Sequence, residues 1–167
     1  LIVVSGDIFH AAKVWADRGL NETYHAINII KKLAEISPVA VLRGTPNHDG
    51  DEQFNMLKEV LKDEQAVTLF DTPTAQIINT RSGSVNVAAL PGFERGVFRA
   101  KFPGLSKEEE NQVFTEELGK IVLSLKAACD PAVPSVLLAH YTVPGCNTES
   151  GQVQFFSQFE PVILPEV

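Results

Sequence analysis

Short apolar runs alternate with amphipathic segments from residue 1 to residue 70. The runs at 1–5, 38–44 and 66–70 are rich in β-branched residues and show no polar alternation. Such runs are typical of parallel strands that are covered on both faces. Between them, residues 22–36 and 51–63 carry apolar residues at helical spacing. The order strand, helix, strand, helix, strand predicts a layered α/β fold with right-handed crossovers.

The second half of the chain predicts a different arrangement. The stretches TAQIINT and VNVAALPG flank RSGS, which indicates a hairpin. Residues 106–129 form a long helical pattern, and Ser106 with Glu109 fits a capping box at its start. Residues 135–141, SVLLAHY, indicate another buried strand, and this one ends at a histidine. The segment between the hairpin and the long helix is predicted to be a loop.

Composition and charge limit the class of protein. The chain has 167 residues, a length typical of one domain. The net charge of −7 argues against a broad nucleic-acid-binding face, although bound cations would reverse the sign locally. The sequence contains neither an apolar run of membrane-spanning length nor a signal peptide, so we expect a cytoplasmic protein. Cys129 and Cys146 then indicate free thiols.

Polar side chains follow three of the predicted strands. Asp7 follows the first strand, Asn47, His48 and Asp49 follow the second, and His140 ends a later one. Ligands bind at the carboxyl ends of strands in open α/β sheets, so we expect these side chains at one edge. Carboxylate, amide and imidazole ligands together suit Mn²⁺, Fe²⁺ or Zn²⁺. A carboxylate can bridge two such ions, and an ion pair of this kind promotes displacement at phosphorus.

The stretches GDIFH, GTPNHDG and LLAHYTVPG resemble consecutive motifs of the calcineurin-like metallophosphoesterases. They are most similar to those of the SbcD-type DNA-repair exonucleases and their phage relatives. The resemblance implies a four-layer α-β-β-α sandwich. The family's first motif, D-x-H, and its last, G-H-x-H, are absent from the sequence. We therefore expect residues 1–167 to be a domain truncated at both ends, with most ligands of the first metal missing and with poor activity.

The resemblance implies the metal ligands, the cofactors and the partners. Asp7 corresponds to the carboxylate that bridges two ions, and Asn47 and His140 correspond to ligands of the second ion. The cofactors would be two divalent ions, with Mn²⁺ expected. The partners would be DNA and an SMC-like ATPase subunit of the SbcC type. The resemblance leaves a homodimer open and implies no membrane partner.

The resemblance also implies the catalytic groups of a nuclease. His48 would assist departure of the leaving oxygen, and Asp49 would orient its imidazole. His10 matches an extra histidine of the nuclease branch. Thr45 and Pro46 lengthen the turn before Asn47, as in the phage-type relatives, and leave the direction of its side chain open.

Other interpretations stay open at this point. A calcineurin-like phosphatase or a cyclic-nucleotide phosphodiesterase would use the same motifs, and an inactive scaffold domain would keep the fold alone. Asp7 could be a turn residue, and residues 47–49 an Asx-turn before the second helix. His140 could be a core histidine, and His10 could lie in a solvated loop.

Overall fold

The computed structural model describes residues 1–12, 17–145 and 162–164, so Cys146 lies outside the described residues. This part of the chain is mixed α/β, with two small sheets and four helices. The elements are β1 (Ile2–Val4), α1 (Asp17–Ala34), β2 (Val39–Leu42), α2 (Asp51–Leu61), β3 (Val67–Phe70), β4 (Thr74–Thr80), β5 (Gly83–Leu90), α3 (Arg95–Lys101), α4 (Lys107–Ala128) and β6 (Ser135–Ala139). The predicted α/β class is therefore confirmed. No helix within the described ranges is long and apolar enough to cross a membrane.

The first sheet has the order β1-β2-β3, and its strands are all parallel. The central strand is buried along its whole length, which explains why its sequence shows no alternation. Val39 and Val41 belong to one apolar cluster, which also contains Phe54 of α2 and Ile30 of α1. The intervening side chains therefore lie on the opposite face of the sheet, because successive strand residues point to opposite faces.

The second sheet has the order β4-β5-β6, with β4 antiparallel and β6 parallel to β5. Val87 and Ala89 share an apolar cluster with Leu42 of β2, so side chains of the two sheets meet in a common core. The alternate residues Ala88 and Leu90 belong to a third cluster. That cluster also contains the side chains Leu118, Val122 and Leu125 of α4.

Three strands that the sequence predicts to be buried lie at sheet edges. Among the described strands, β1, β3 and β6 each have one neighbour. Val3 in β1 is 44% exposed and Leu137 in β6 is 40% exposed. Apolar runs indicate strands that face a core, but they do not show whether both edges of the strand are paired.

The helices agree with the sequence except at two places. The capping box is confirmed, because Ser106 Oγ accepts from the Glu109 amide at 3.3 Å and Glu109 Oε2 accepts from the Ser106 amide at 2.9 Å. The first helix begins at Asp17, before the predicted start at residue 22. Helix α3 lies where the sequence predicted a loop. Its Phe98 ring packs against Phe114 of α4, with 4.4 Å between centroids.

Candidate metal centre

The carboxyl ends of strands from both sheets meet at one place. His140 follows β6, and its amide donates to the carbonyl of Leu90 at the end of β5. Gly92, beyond that end, donates its amide to the carbonyl of Arg43, which follows β2. Asp7, after β1, contacts Thr45 in the same region. The two sheets therefore bring their strand ends to a shared edge, as expected for ligand sites in α/β folds.

The turn that carries Asp7 is tightly packed against its neighbours. Asp7 has φ +51° and follows Gly6 at φ +95°, and it is the one non-glycine residue of the described part with positive φ. A Cβ on Gly6 would lie 2.7 Å from Nδ1 of His140. A Cβ on Gly44 would lie 2.1 Å from the Asp7 amide nitrogen and 2.3 Å from its Oδ1. Glycine is required at both positions, because any side chain would displace Asp7 or His140.

The two carboxylate oxygens of Asp7 have different partners. Oδ1 accepts hydrogen bonds from the amide of Thr45 at 2.7 Å and from its hydroxyl at 2.9 Å. Oδ2 lies 3.2 Å from Nε2 of His140. Partial burial raises the pKa of Asp7, but the bonds from Thr45 and the charges of His140 and His48 outweigh this effect, so the pKa is lowered overall. Asp7 is therefore a carboxylate at neutral pH.

His140 faces that carboxylate with Nε2 and the main chain with Nδ1. Its Nδ1 lies 2.7 Å from the carbonyl oxygen of Ser5. A carbonyl only accepts, so Nδ1 carries a proton. Nε2 then lies 3.2 Å from Oδ2 of Asp7, either as the second N–H donor of a charged ring or as the acceptor of a neutral ring. Such a contact needs a proton or a cation between the two atoms.

The separation of Nε2 of His140 and Oδ2 of Asp7 also fits a shared divalent ion. Two ligands at about 2.1 Å from an ion lie about 3.0 Å apart at a right angle and about 3.4 Å apart at the tetrahedral angle. The observed 3.2 Å between Nε2 of His140 and Oδ2 of Asp7 lies between these values. The Nδ1 bond to a backbone carbonyl is also the usual arrangement for a histidine that binds metal.

His48 and Asp49 do not pair directly. Nδ1 of His48 donates to the carbonyl of Phe9 at 3.0 Å. The fully buried carboxylate of Asp49 accepts from the amides of Ile8 at 2.8 Å, Phe9 at 3.3 Å and Gly44 at 2.6 Å. The sequence predicts that Asp49 orients the imidazole of His48. In the structure, Asp49 holds the segment whose carbonyl orients His48, so its influence passes through Phe9.

Among the described residues, no hydrogen bond links the side chain of Asn47 or His10 to Asp7 or His140. Asn47 and His10 are both exposed. The carbonyl of Asn47 accepts from the amide of Ala12 at 2.9 Å, and the amide of His10 donates to Oε2 of Glu22 at 3.3 Å. Across the described ranges, no group of three or more His, Cys, Asp or Glu side chains could hold a metal. The side chains that the structure brings together here are those of Asp7 and His140.

Four groups in this region were not predicted from the sequence: Thr45, Gly92 and the carbonyls of Ser5 and Phe9. Thr45 binds Asp7, and Gly92 is packed so that a Cβ would lie 2.6 Å from the carbonyl oxygen of Gly44. The sequence does carry a signal for Gly92, because this glycine follows the apolar run of β5 as Gly44 follows the apolar run of β2. The carbonyls of Ser5 and Phe9 have no sequence signal, because every residue carries one.

Comparison of the chain with models of known protein families and with curated proteins gave no match.

Proposed function

We propose that this chain forms part of a metal-dependent phosphodiesterase that acts on DNA, of the SbcD-like type within the calcineurin-like metallophosphoesterases. The observation that carries the proposal is the approach of Nε2 of His140 to Oδ2 of Asp7 at 3.2 Å, with Nδ1 of the same ring engaged by the carbonyl of Ser5. Both residues occupy the positions that the family motifs assign to metal ligands.

The proposed fold is the four-layer α-β-β-α sandwich of that family. Three apolar clusters support it. The first lies between α1, α2 and the first sheet, the second combines side chains of both sheets, and the third lies between β5 and α4. This order is helices, sheet, sheet, helix.

Asp7 and His140 would hold a divalent ion, proposed to be Mn²⁺, and Asn47 on the neighbouring turn would complete its ligands. A bound pair of ions would supply Lewis acidity and a nucleophilic hydroxide at neutral pH. The chain's own residues set the geometry. Asp7 is kept ionised, and the carbonyl of Ser5 engages Nδ1 of His140, so Nε2 is the ring atom that would bind the ion.

His48 would supply the proton for the leaving oxygen. Its Nδ1 is engaged by the carbonyl of Phe9, so Nε2 is the atom from which a doubly protonated ring would donate. Asp49 would maintain this arrangement by holding the amide of Phe9. His10 stays a proposed auxiliary group of the nuclease branch.

The test uses the full gene product with Mn²⁺ and linear double-stranded DNA, with a small chromogenic phosphodiester measured alongside. We expect DNA degradation that EDTA abolishes and that His48→Asn lowers by at least a hundredfold, since general acid catalysis contributes about 10²–10⁴. His25→Asn is the matched control, because His25 is an exposed histidine of α1 outside the centre.

The alternative functions give different results in the same experiment. Cleavage of the small ester alone would favour a phosphatase or cyclic-nucleotide phosphodiesterase, a function that suits the net charge of −7. If neither substrate is cleaved and no Mn²⁺ binds, the domain is a scaffold. Copurification with an SMC-like ATPase of the SbcC type tests the proposed partner. Cell fractionation tests the proposed cytoplasmic location, and the mass from sedimentation tests the proposed homodimer.

A further inference from the structure

Oδ1 of Asp7 is occupied by two donors from one residue. The amide of Thr45 donates to it at 2.7 Å and the hydroxyl of the same residue at 2.9 Å. Hydrogen bonds to an ionised acceptor are about twice as strong as neutral ones. Oδ1 is thereby committed to the protein, and Oδ2 is the oxygen left to face Nε2 of His140.

Thr45 is itself held in place by its own turn. Its carbonyl accepts from the amides of His48 at 3.0 Å and Asp49 at 2.8 Å. Pro46 follows, and a residue before proline is restricted to extended conformations. The direction of the Thr45 amide and hydroxyl is therefore set before any ligand arrives. The same residue links Asp7 to the turn that carries His48.

The backbone alone does not fix the Asp7 carboxylate. The χ2 torsion of an aspartate is broad and roughly two-fold, so the two oxygens can exchange places unless something distinguishes them. The amide of Thr45 supplies one hydrogen bond and its hydroxyl the second. Loss of the hydroxyl would leave a carboxylate that rotates more freely and presents either oxygen to a cation.

We propose that Thr45 is a positioning residue of the metal centre, whose hydroxyl and amide hold Oδ1 of Asp7 so that Oδ2 alone, with Nε2 of His140, binds a divalent cation. This inference rests on the proposed function, because it assigns a role to a residue of the same site. It also gives a purpose to the Thr-Pro pair that lengthens the turn before Asn47.

The test measures Mn²⁺ affinity of the purified, metal-stripped chain, from the free-ion signal in electron paramagnetic resonance and by calorimetry. Thr45→Val removes the hydroxyl and keeps the amide and the branched shape, and we expect it to weaken Mn²⁺ binding about tenfold or more. Thr45→Ser restores the hydroxyl and should bind within about twofold of the wild type. Thr80→Val is the matched control, because the Thr80 hydroxyl donates to a carbonyl in the β4–β5 turn.

The metal-free melting temperature of each variant separates positioning from folding. If Thr45→Val does not fold, Thr45→Ala carries the same prediction. Equal loss of affinity in Thr45→Ser and Thr45→Val, or wild-type affinity in Thr45→Val, would overturn the positioning role. If Asp7→Asn still abolishes binding in that case, the metal centre stands and only the role of Thr45 fails. A wild-type chain that binds no Mn²⁺ overturns both.

Discussion

Replacement of Asp49 by alanine should destabilise the fold more than any other change to a charged side chain in this region. The carboxylate is completely buried and accepts three backbone amides, from Ile8, Phe9 and Gly44. Two of these amides lie between β1 and α1 and one follows β2. Asp49 therefore joins the loop after β1 to the residue two positions beyond β2 through three backbone amides.

The magnitude follows from the number of donors left behind. A hydrogen bond to a charged acceptor contributes about 1.5–3 kcal/mol, and a buried amide without a partner costs about 1–3 kcal/mol. Because the amide of Ile8 is only partly buried, we expect a loss of about 4 kcal/mol in Asp49→Ala. Asp49→Asn keeps one oxygen but turns an amide group toward one of the donors, and we expect a loss of about 2 kcal/mol in the free energy of unfolding.

Urea denaturation followed by circular dichroism measures these losses as changes in the free energy of unfolding. Asp63→Ala is the control, since Asp63 is an exposed aspartate beyond α2, and its change should stay within about 0.5 kcal/mol. An Asp49→Ala protein within 1 kcal/mol of the wild type, on the scale of a single weak bond, would refute the reasoning. It would mean that water replaces the carboxylate at all three amides.

Three further predictions concern packing and pH. Gly44→Ala should lower the free energy of unfolding in urea by about 3 kcal/mol, because its Cβ would lie 2.1 Å from the Asp7 amide nitrogen. The control Gly96→Ala in α3 should raise it by about 0.5–1 kcal/mol, and equal effects of the two changes would contradict the prediction. The pKa of Asp7 is lowered in the folded state, so the stability it contributes is complete above the ordinary value of about 3.9 and is lost as the pH falls below it. Asp7→Asn should therefore flatten the acid limb of melting temperature against pH, and an unchanged limb would argue against the shift. Leu118→Ala should cost about 3 kcal/mol by thermal denaturation and Leu123→Ala, 52% exposed, less than 1 kcal/mol; similar losses would mean that α4 does not pack as described.

The sequence predicts best those elements whose own residues determine their structure. Strand β2 and the capping box at Ser106 are both found at their predicted places. Helix α3 was missed because its stability depends on the ring of Phe98 packing against Phe114, a contact with another helix. The edge position of β1 was missed because pairing belongs to the sheet as a whole.

The candidate site divides in the same way. Residue types at strand ends indicate that Asp7 and His140 lie near each other, and the structure places Oδ2 of the first 3.2 Å from Nε2 of the second. The partners of His48 and Asp49 could not be predicted, because they are backbone groups that any sequence carries. Local motifs therefore indicate which side chains gather, whereas the hydrogen bonds that aim them depend on the tertiary structure.

The two imidazoles of the centre depend on the same short stretch of main chain. His140 donates to the carbonyl of Ser5 and His48 donates to that of Phe9. A displacement of residues 5–9 would carry both rings with it and would change their mutual spacing less than their distance from the rest of the protein. The use of main-chain carbonyls also sets different evolutionary limits for Ser5 and Phe9. The side chain of Ser5, which is exposed, can vary while its carbonyl keeps the same role. The side chain of Phe9 packs in the first apolar cluster, so its replacement would disturb the core as well as the position of His48.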